Sequence, residues 1–416
     1  MEKNTSTKHF SVIWMIVAII LMVVHSSHAL INGGKLDIAS RKGDNTLTVE
    51  RVPVLTNNGD DDGVTSLSEM GCGTWSWGNR ILWDYDPSQD EEIYQAYKLV
   101  RKAGVTVFDT ADSYGTLDLN GRAEVLLGQF ERRYQQELLS GESSESKAWW
   151  DLGGLAASNQ QSKLLAPDQQ QQVATKFAPY PWRLSRSSFV KAAQESLARL
   201  EQPSLAIAQA HWSTKNYLPQ QESAIWNGLA DCYDAGLAKA VGVSNYGPKQ
   251  LMRVSEYMKG RNVPLATAQI QYSLMTYDIA TQMNEACESV DCRLISYSPL
   301  CLGLLTGKYN LDNLPRQGNP RRQLFKELLT PGGGTQELID TIEAIARDYG
   351  KSNSQVAINW ALCKGTVPIP GCRTLQQAEE NIGATGWRLA PDAVRELESK
   401  ATAVTKPMIQ NIFQTK

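Results

Sequence analysis

Three apolar runs of the chain end in a polar residue that could do chemistry: Asp109 follows VTVF, Lys176 closes QVATK and His211 closes LAIAQAH. Tyr114 follows Asp109 within DTADSYG. A tyrosine hydroxyl titrates near pH 10, about three units above neutrality, so it is a poor proton carrier unless a cation lowers that value. Lys176 is the cation to hand, and pairing with Asp109 would hold its ammonium in place. A neutral His211 could donate to a carbonyl oxygen and polarise it. Together these groups would protonate a carbonyl oxygen while something else delivers to carbon, which requires a hydride cofactor. Tyr297, at the end of RLISY, offers a flat face for a nicotinamide ring, and Ser244, Asn245 and Gln269 suit its carboxamide. Each residue alone has a plainer role: a strand-end Asp caps a helix, a Lys snorkels, a Tyr packs. Their recurrence at the ends of successive runs argues for a common site.

The elements that would position them are strands alternating with helices. Short runs at 105–108, 172–176, 205–211, 239–243, 265–271, 293–297 and 366–369 read as strands, with one more near 67–72. Between them, 91–103, 188–200 and 335–349 carry apolar residues at helical spacing, the last opening at Thr335 and stopping at Gly350. Hydrophobic strands alternating with helices imply a parallel sheet covered on both faces. Eight such units make a (β/α)8 barrel, which needs about 250 residues, and 65–405 suffices. In that fold the strands' C-terminal ends share one mouth, where the polar residues collect. A doubly wound dinucleotide fold would open with G-x-G-x-x-G; Gly71-Cys-Gly73 lacks the third glycine and enters a tryptophan-rich loop.

Composition narrows the function. The chain has 416 residues, 41 Lys+Arg and 44 Asp+Glu, for a formal charge of −3, so it lacks the cationic excess of a protein built to bind nucleic acid. Hydrophobic residues at 42% provide enough apolar surface for a core. Seven cysteines without a C-x-x-C pair disfavour both a disulfide framework and a zinc site. Three of the four histidines, His9, His25 and His28, precede residue 30, so no metal is expected.

Those first residues read as an address. Lys3 and Lys8 precede the apolar run 10–24, and Ser27-His28-Ala29 has the small-x-small form of a cleavage site. Residues 1–30 are therefore expected to be a signal peptide, or a membrane anchor (a transmembrane helix) if uncleaved, although the run is shorter than the about 20 residues a bilayer asks for. Residues 31–64 are polar and aperiodic and read as a linker or second targeting segment. Entry to the secretory route is implied, with a plastid reached by that route, a membrane-anchored form or secretion as destinations; unpaired thiols sit more easily in a reducing stroma.

The motifs also carry a resemblance. GCGTW, FDTADSYG with Glu124 and Gly128 after it, VATK, AQAHW, GVSNY, AQIQYSL, SYSPL with LTGKY, and PIPGCR with Gln377 and Asn381 stand in the order found in the aldo-keto reductases, over about 66–405. The chain most resembles the plastid-type members of plants and algae. The resemblance implies an NADPH-dependent reduction of aldehydes or ketones to alcohols on a (β/α)8 barrel. It implies Tyr114 as general acid, Asp109 and Lys176 as its tuning pair and His211 as the fourth catalytic member. For the cofactor it implies Gly73, Thr74, Trp75, Ser244, Asn245, Gln269, Tyr297, Gly371, Arg373, Gln377 and Asn381, with Arg373 suited to the adenosine 2′-phosphate. Trp75 and Trp212, with Trp77, would line a substrate pocket or pack its rim. A small carbonyl compound is the implied partner, and a monomer the implied state. The family also includes potassium-channel β subunits, so a redox-sensing regulatory subunit that binds NADPH is the alternative.

Two segments depart from the family pattern. An insertion at 139–171 precedes a strand and is expected on the face opposite the mouth. The arginine-bearing loop 308–335, with Arg316, Arg321 and Arg322, is either solvated or folded over the cofactor's pyrophosphate. Residues 406–416 form a C-terminal tail.

Overall fold

A computed structural model describes residues 49–53, 66–140, 169–408, 411 and 413–415. The expected leader 1–30, most of the expected linker and residues 141–168 of the expected insertion lie outside the described residues. Among the described residues no helix is long and apolar enough to cross a membrane.

Among the described residues there are ten strands: β1 (Arg51–Pro53), β2 (Ser66–Ser68), β3 (Cys72–Gly73), β4 (Val107–Asp109), β5 (Gln172–Phe177), β6 (Leu205–Ala210), β7 (Ala238–Ser244), β8 (Leu265–Gln271), β9 (Arg293–Tyr297) and β10 (Val367–Ile369). β3 to β10 form one eight-stranded parallel sheet in chain order. It closes where Gly73 bridges Gly371, with Gly73 N donating to the Pro370 carbonyl at 3.0 Å and Gly71 N to the Pro368 carbonyl at 2.9 Å. A Cβ at Gly73 would stand 2.9 Å from the Ile369 carbonyl oxygen, so the closing edge requires glycine. The expected (β/α)8 barrel is the fold observed.

Two corrections concern the start of the barrel. The strand expected near 67–72 is two: β2 pairs antiparallel with β1, and only Cys72–Gly73 joins the barrel. Residues 51–53, assigned to a linker, are thus part of the folded unit. The hairpin places Leu67 at the barrel floor against Val107, Ala174, Ala206, Ile207, Ala240 and Ala266, with Val52 beside them. Four alanines there leave the room that a leucine side chain fills.

The two-residue period of a strand then explains the mouth. Val107, Ala174, Ile207 and Ala240 point into the floor cluster. Two residues on stand Asp109, Lys176, Gln209 and Gly242, followed by Ser244. The interior is therefore apolar at the bottom and polar at the top of the same strands.

The helices expected at 91–103, 188–200 and 335–349 are Asp90–Lys102, Arg186–Leu200 and Thr335–Tyr349, and a further helix spans Arg122–Ser140. Thr335 lies just inside its helix, with Gly334 at the cap, and Gly350 ends it in the left-handed conformation.

Candidate active site

β4 delivers Asp109 and β5 delivers Lys176 into the upper barrel, where both are almost wholly buried. Lys176 Nζ donates to Asp109 Oδ1 at 2.5 Å and to the Thr110 carbonyl at 2.8 Å. The other oxygen, Asp109 Oδ2, accepts from Gln269 Nε2 at 2.6 Å and from Gln209 Nε2 at 3.3 Å. An ion pair this deep persists only when its remaining hydrogen-bonding capacity is met, and the two glutamines do this. Gln269, expected at the carboxamide, gives its amide nitrogen to the carboxylate. Gln209 carries a single signal in the sequence, its place two residues before His211 on the inward face of β6.

Beyond β4 the chain turns and presents Tyr114. The turn depends on Gly115, whose φ is +129° and where a Cβ would lie 1.8 Å from the Leu119 carbonyl oxygen. Lys176 Nζ sits 4.8 Å from the centre of the Tyr114 ring, over its face, and the His211 ring meets it edge-on at 5.7 Å. Ser113 Oγ lies 3.3 Å from His211 Nδ1, leaving Nε2 for another partner. The four expected catalytic residues therefore converge.

Their electrostatics differ in one respect from expectation. Burial, and then the charge of Asp109, push the Tyr114 hydroxyl well above its ordinary value. Lys176, paired with Asp109 and facing the ring, does not outweigh burial. Burial lowers the Lys176 ammonium while Asp109 opposes that shift. Burial and Lys176 hold His211 well below its usual range, so the imidazole is neutral at neutral pH. Tyr114 is therefore a retained proton donor beside a neutral imidazole.

β7 ends in Ser244-Asn245. Asn245 has φ +60°, a left-handed conformation that asparagine tolerates better than most residues. This turns its side chain back over the mouth, donating to the His211 carbonyl at 3.0 Å and to Ser244 Oγ at 3.1 Å. Tyr297 Oη donates to Asn245 Oδ1 at 2.9 Å, which fixes the ring at the rim.

At the other side, β3, β9 and β10 supply a cationic corner. Arg373 donates to the Trp83 carbonyl at 2.5 Å, and Gln377 Oε1 accepts from the Arg373 backbone N–H at 2.9 Å. Asn381 Nδ2 donates to the Gly371 carbonyl at 3.1 Å, bracing the loop. The loop 308–335 is not merely solvated. It contains a helix, Pro320–Leu328, that places Arg321 over the Trp83 ring at 4.4 Å. Arg316 pairs with Asp84. Trp83 and Arg321 have no local sequence signal as a pair, since they meet only through the tertiary fold.

The tryptophans divide by role. Trp77 is fully buried and donates from Nε1 to the Cys372 carbonyl at 2.8 Å, a core contact beside the barrel seam. Trp75 stands at the mouth, edge-on to Trp83. Trp212 is half-buried, and Phe413 from the tail stacks on it at 4.4 Å. Thr74, expected at the cofactor, is buried and bonds the Asp109 carbonyl through both N–H and hydroxyl. Among the described residues no cluster of three His, Cys, Asp or Glu side chains could hold a metal ion.

The residues fit a dinucleotide with an additional phosphate. Neither Arg321 nor Arg373 makes an ion pair with a carboxylate among the described residues, and Trp83 Nε1 and Ser76 Oγ are buried without a partner. Donors left over at a mouth lined by rings suit an anionic, partly aromatic ligand.

Comparisons with known proteins bear on the family and the fold. The model of the "Aldo/keto reductase family" matches residues 69–402. The chloroplastic pyridoxal reductase of Arabidopsis thaliana is 46% identical over 355 residues, 85% of this chain and 88% of the relative. Among solved structures, the glycerol dehydrogenase of Gluconobacter oxydans superposes with a TM-score of 0.64 at 22% identity, over 88% of this chain and 98% of that one. An aldo-keto reductase complexed with NADPH has a TM-score of 0.58 at 22% identity, over 85% of this chain and 88% of that one. The two structures speak for the fold. With the family model matching residues 69–402 and a relative 46% identical over 355 residues, the chain belongs to the aldo/keto reductase family of oxidoreductases.

Proposed function

We propose that the protein reduces aldehydes or ketones to alcohols with NADPH, and that pyridoxal-type aromatic aldehydes are its first candidates. The carrying observation is the convergence of Tyr114, Lys176, Asp109 and His211 at the barrel mouth, with Tyr114 protonated and His211 neutral. The substrate class takes support from the 46% identical pyridoxal reductase and from the aromatic rim of Trp75, Trp212 and Phe413.

NADPH, when bound, supplies the hydride for the carbonyl carbon. Tyr297 and Asn245 would hold the nicotinamide end, and Arg373 with Arg321 the phosphorylated adenosine end. His211 Nε2 and Tyr114 Oη would meet the substrate oxygen. Tyr114 gives up its proton as negative charge grows there, and the Lys176 charge over its ring face stabilises the phenolate left behind. Asp109 offsets the effect of burial on Lys176, and the two glutamines hold the Asp109 side chain in place.

The plastid is the proposed compartment, on the strength of the chloroplastic relative. The regulatory-subunit reading draws no support from the relatives named above, which carry enzyme names. The test is NADPH oxidation by the full chain with pyridoxal and a panel of aromatic aldehydes. Turnover supports the reductase; tight NADPH binding without turnover of any carbonyl would restore the regulatory reading.

A further inference from the structure

Arg321 and Arg373 come from different loops and approach the same indole. The Arg321 guanidinium carbon lies 4.4 Å from the centre of the Trp83 ring, and that of Arg373 lies 5.7 Å from it. Two like charges drawn to one spot repel, and burial together with this repulsion lowers the Arg373 pKa; burial alone is the main cause at Arg321. The nearby carboxylate of Asp84 is engaged by Arg316. Arg321 is otherwise held by neutral acceptors, the Leu302 carbonyl at 3.2 Å and Asn319 Oδ1 at 3.3 Å. The repulsion is offset in part by the Asp84 and Glu92 carboxylates, neither of which pairs with these two arginines, and in part by the negative face of the indole, which attracts a guanidinium without neutralising it.

Trp83 has a second property. Its Nε1 is buried with no hydrogen-bond partner, a cost that a folded protein ordinarily avoids. Its backbone is anchored independently, because Asn319 Nδ2 donates to the Leu82 carbonyl at 3.1 Å and Arg373 donates to the Trp83 carbonyl. The ring is therefore separable from the backbone contacts that bind the Arg80–Trp83 turn to the loop opposite.

We propose that Trp83 is a positioning residue that gathers Arg321 and Arg373 into one receptor for the adenosine 2′-phosphate, and thereby sets the preference for the phosphorylated dinucleotide. This rests on the NADPH reading above and assigns a residue to its selectivity. A phosphate dianion supplies the charge that the two guanidiniums lack, in the bidentate manner arginine favours. A lysine pair would gain less, because an ammonium does not lie flat along an indole as a guanidinium does.

The experiment measures binding of 2′,5′-ADP and 5′-AMP to the full chain by calorimetry, in wild type, Trp83→Leu, Trp83→Phe and Arg373→Ala. Wild type should prefer 2′,5′-ADP, and Arg373→Ala should lose that preference. Trp83→Leu should weaken 2′,5′-ADP by about tenfold with 5′-AMP unchanged. Trp83→Phe, which keeps an aromatic face, should fall between. A preference that survives Trp83→Leu, or an equal loss of both probes, would overturn the proposal alone. Equal wild-type affinity for the two probes would overturn the NADPH reading and this proposal together.

Discussion

Lys176 lies over the face of the Tyr114 ring, 4.8 Å from its centre, while its ammonium hydrogens are directed to Asp109 and the Thr110 carbonyl. The lysine therefore acts on the tyrosine through its field and not through a hydrogen bond to the hydroxyl. In the resting site that field does not overcome burial, and the phenol keeps its proton. In the proposed proton transfer the same cation would stabilise the charge that develops on the tyrosine oxygen, which is when stabilisation accelerates a reaction.

Tyr114→Phe isolates this role. The phenyl ring keeps the contacts with Lys176 and His211, so cofactor binding should be unchanged. Turnover should fall by about 10²–10⁴-fold, the usual contribution of a positioned general acid. Stopped-flow binding of NADPH alongside steady-state reduction of an aromatic aldehyde separates the two. A variant that retained turnover would transfer the acid role to His211.

The buried ion pair should show strong coupling. Lys176→Met strands the Asp109 carboxylate in the barrel, and breaking a buried pair from one side costs about 3–5 kcal/mol. Adding Asp109→Asn removes the stranded charge and should recover part of that loss. Urea unfolding of both single variants and the double variant gives the coupling directly. Additive losses would mean that water reaches the pair.

Much of this constellation was legible in the sequence, and the reason is geometric. An apolar strand that ends in Asp, Lys or His declares both its direction and its last residue, and a parallel barrel gathers such ends at one mouth. Other features left no such mark. Arg51–Pro53 pairs with Ser66–Ser68, but three-residue strands in a polar stretch have no detectable period. Gln209 and Gln269 read as ordinary polar positions until Asp109 is seen between them. The direction of the Tyr114 shift could not be read either, because residue types name the charges nearby while burial decides which one prevails. The meeting of Trp83 with Arg321 and Arg373 depends on three loops whose packing no local pattern encodes.

His211 makes a pH prediction with a definite sign. Its native value is depressed, so below the ordinary value of about 6.5 the unfolded chain takes up a proton that the folded site refuses. The residue's contribution to stability is thus present above about pH 6.5 and is lost as pH falls. The stability difference between wild type and His211→Gln should shrink between about pH 8 and pH 5, as followed by urea unfolding. For the same reason the rate should show no acid step near the ordinary histidine value. A step there would mean that the imidazole titrates normally and is exposed to solvent.

The C-terminal tail, expected only as an end segment, meets the same mouth. Phe413 lies flat on Trp212 with the rings 15° apart, Asn411 Nδ2 donates to Tyr297 Oη at 3.1 Å, and Thr415 Oγ1 accepts from Gly247 N at 2.8 Å. The Thr415 N–H also donates to the Asn245 carbonyl at 3.1 Å. The tail therefore touches Trp212, on the proposed substrate rim, through Phe413, and Tyr297, at the proposed nicotinamide end, through Asn411, and the two can be tested apart. Phe413→Ala removes one stacked pair, worth about 0.5–1.5 kcal/mol, and should raise KM for an aromatic aldehyde by about 2–10-fold with kcat retained. Asn411→Ala should leave that KM alone and weaken NADPH, because Tyr297 loses one of the two bonds that hold its ring. Deleting 409–416 should combine both effects. If the deletion instead lowered kcat with both affinities intact, the tail would be acting on the geometry around Tyr114 and not as a wall of the binding site.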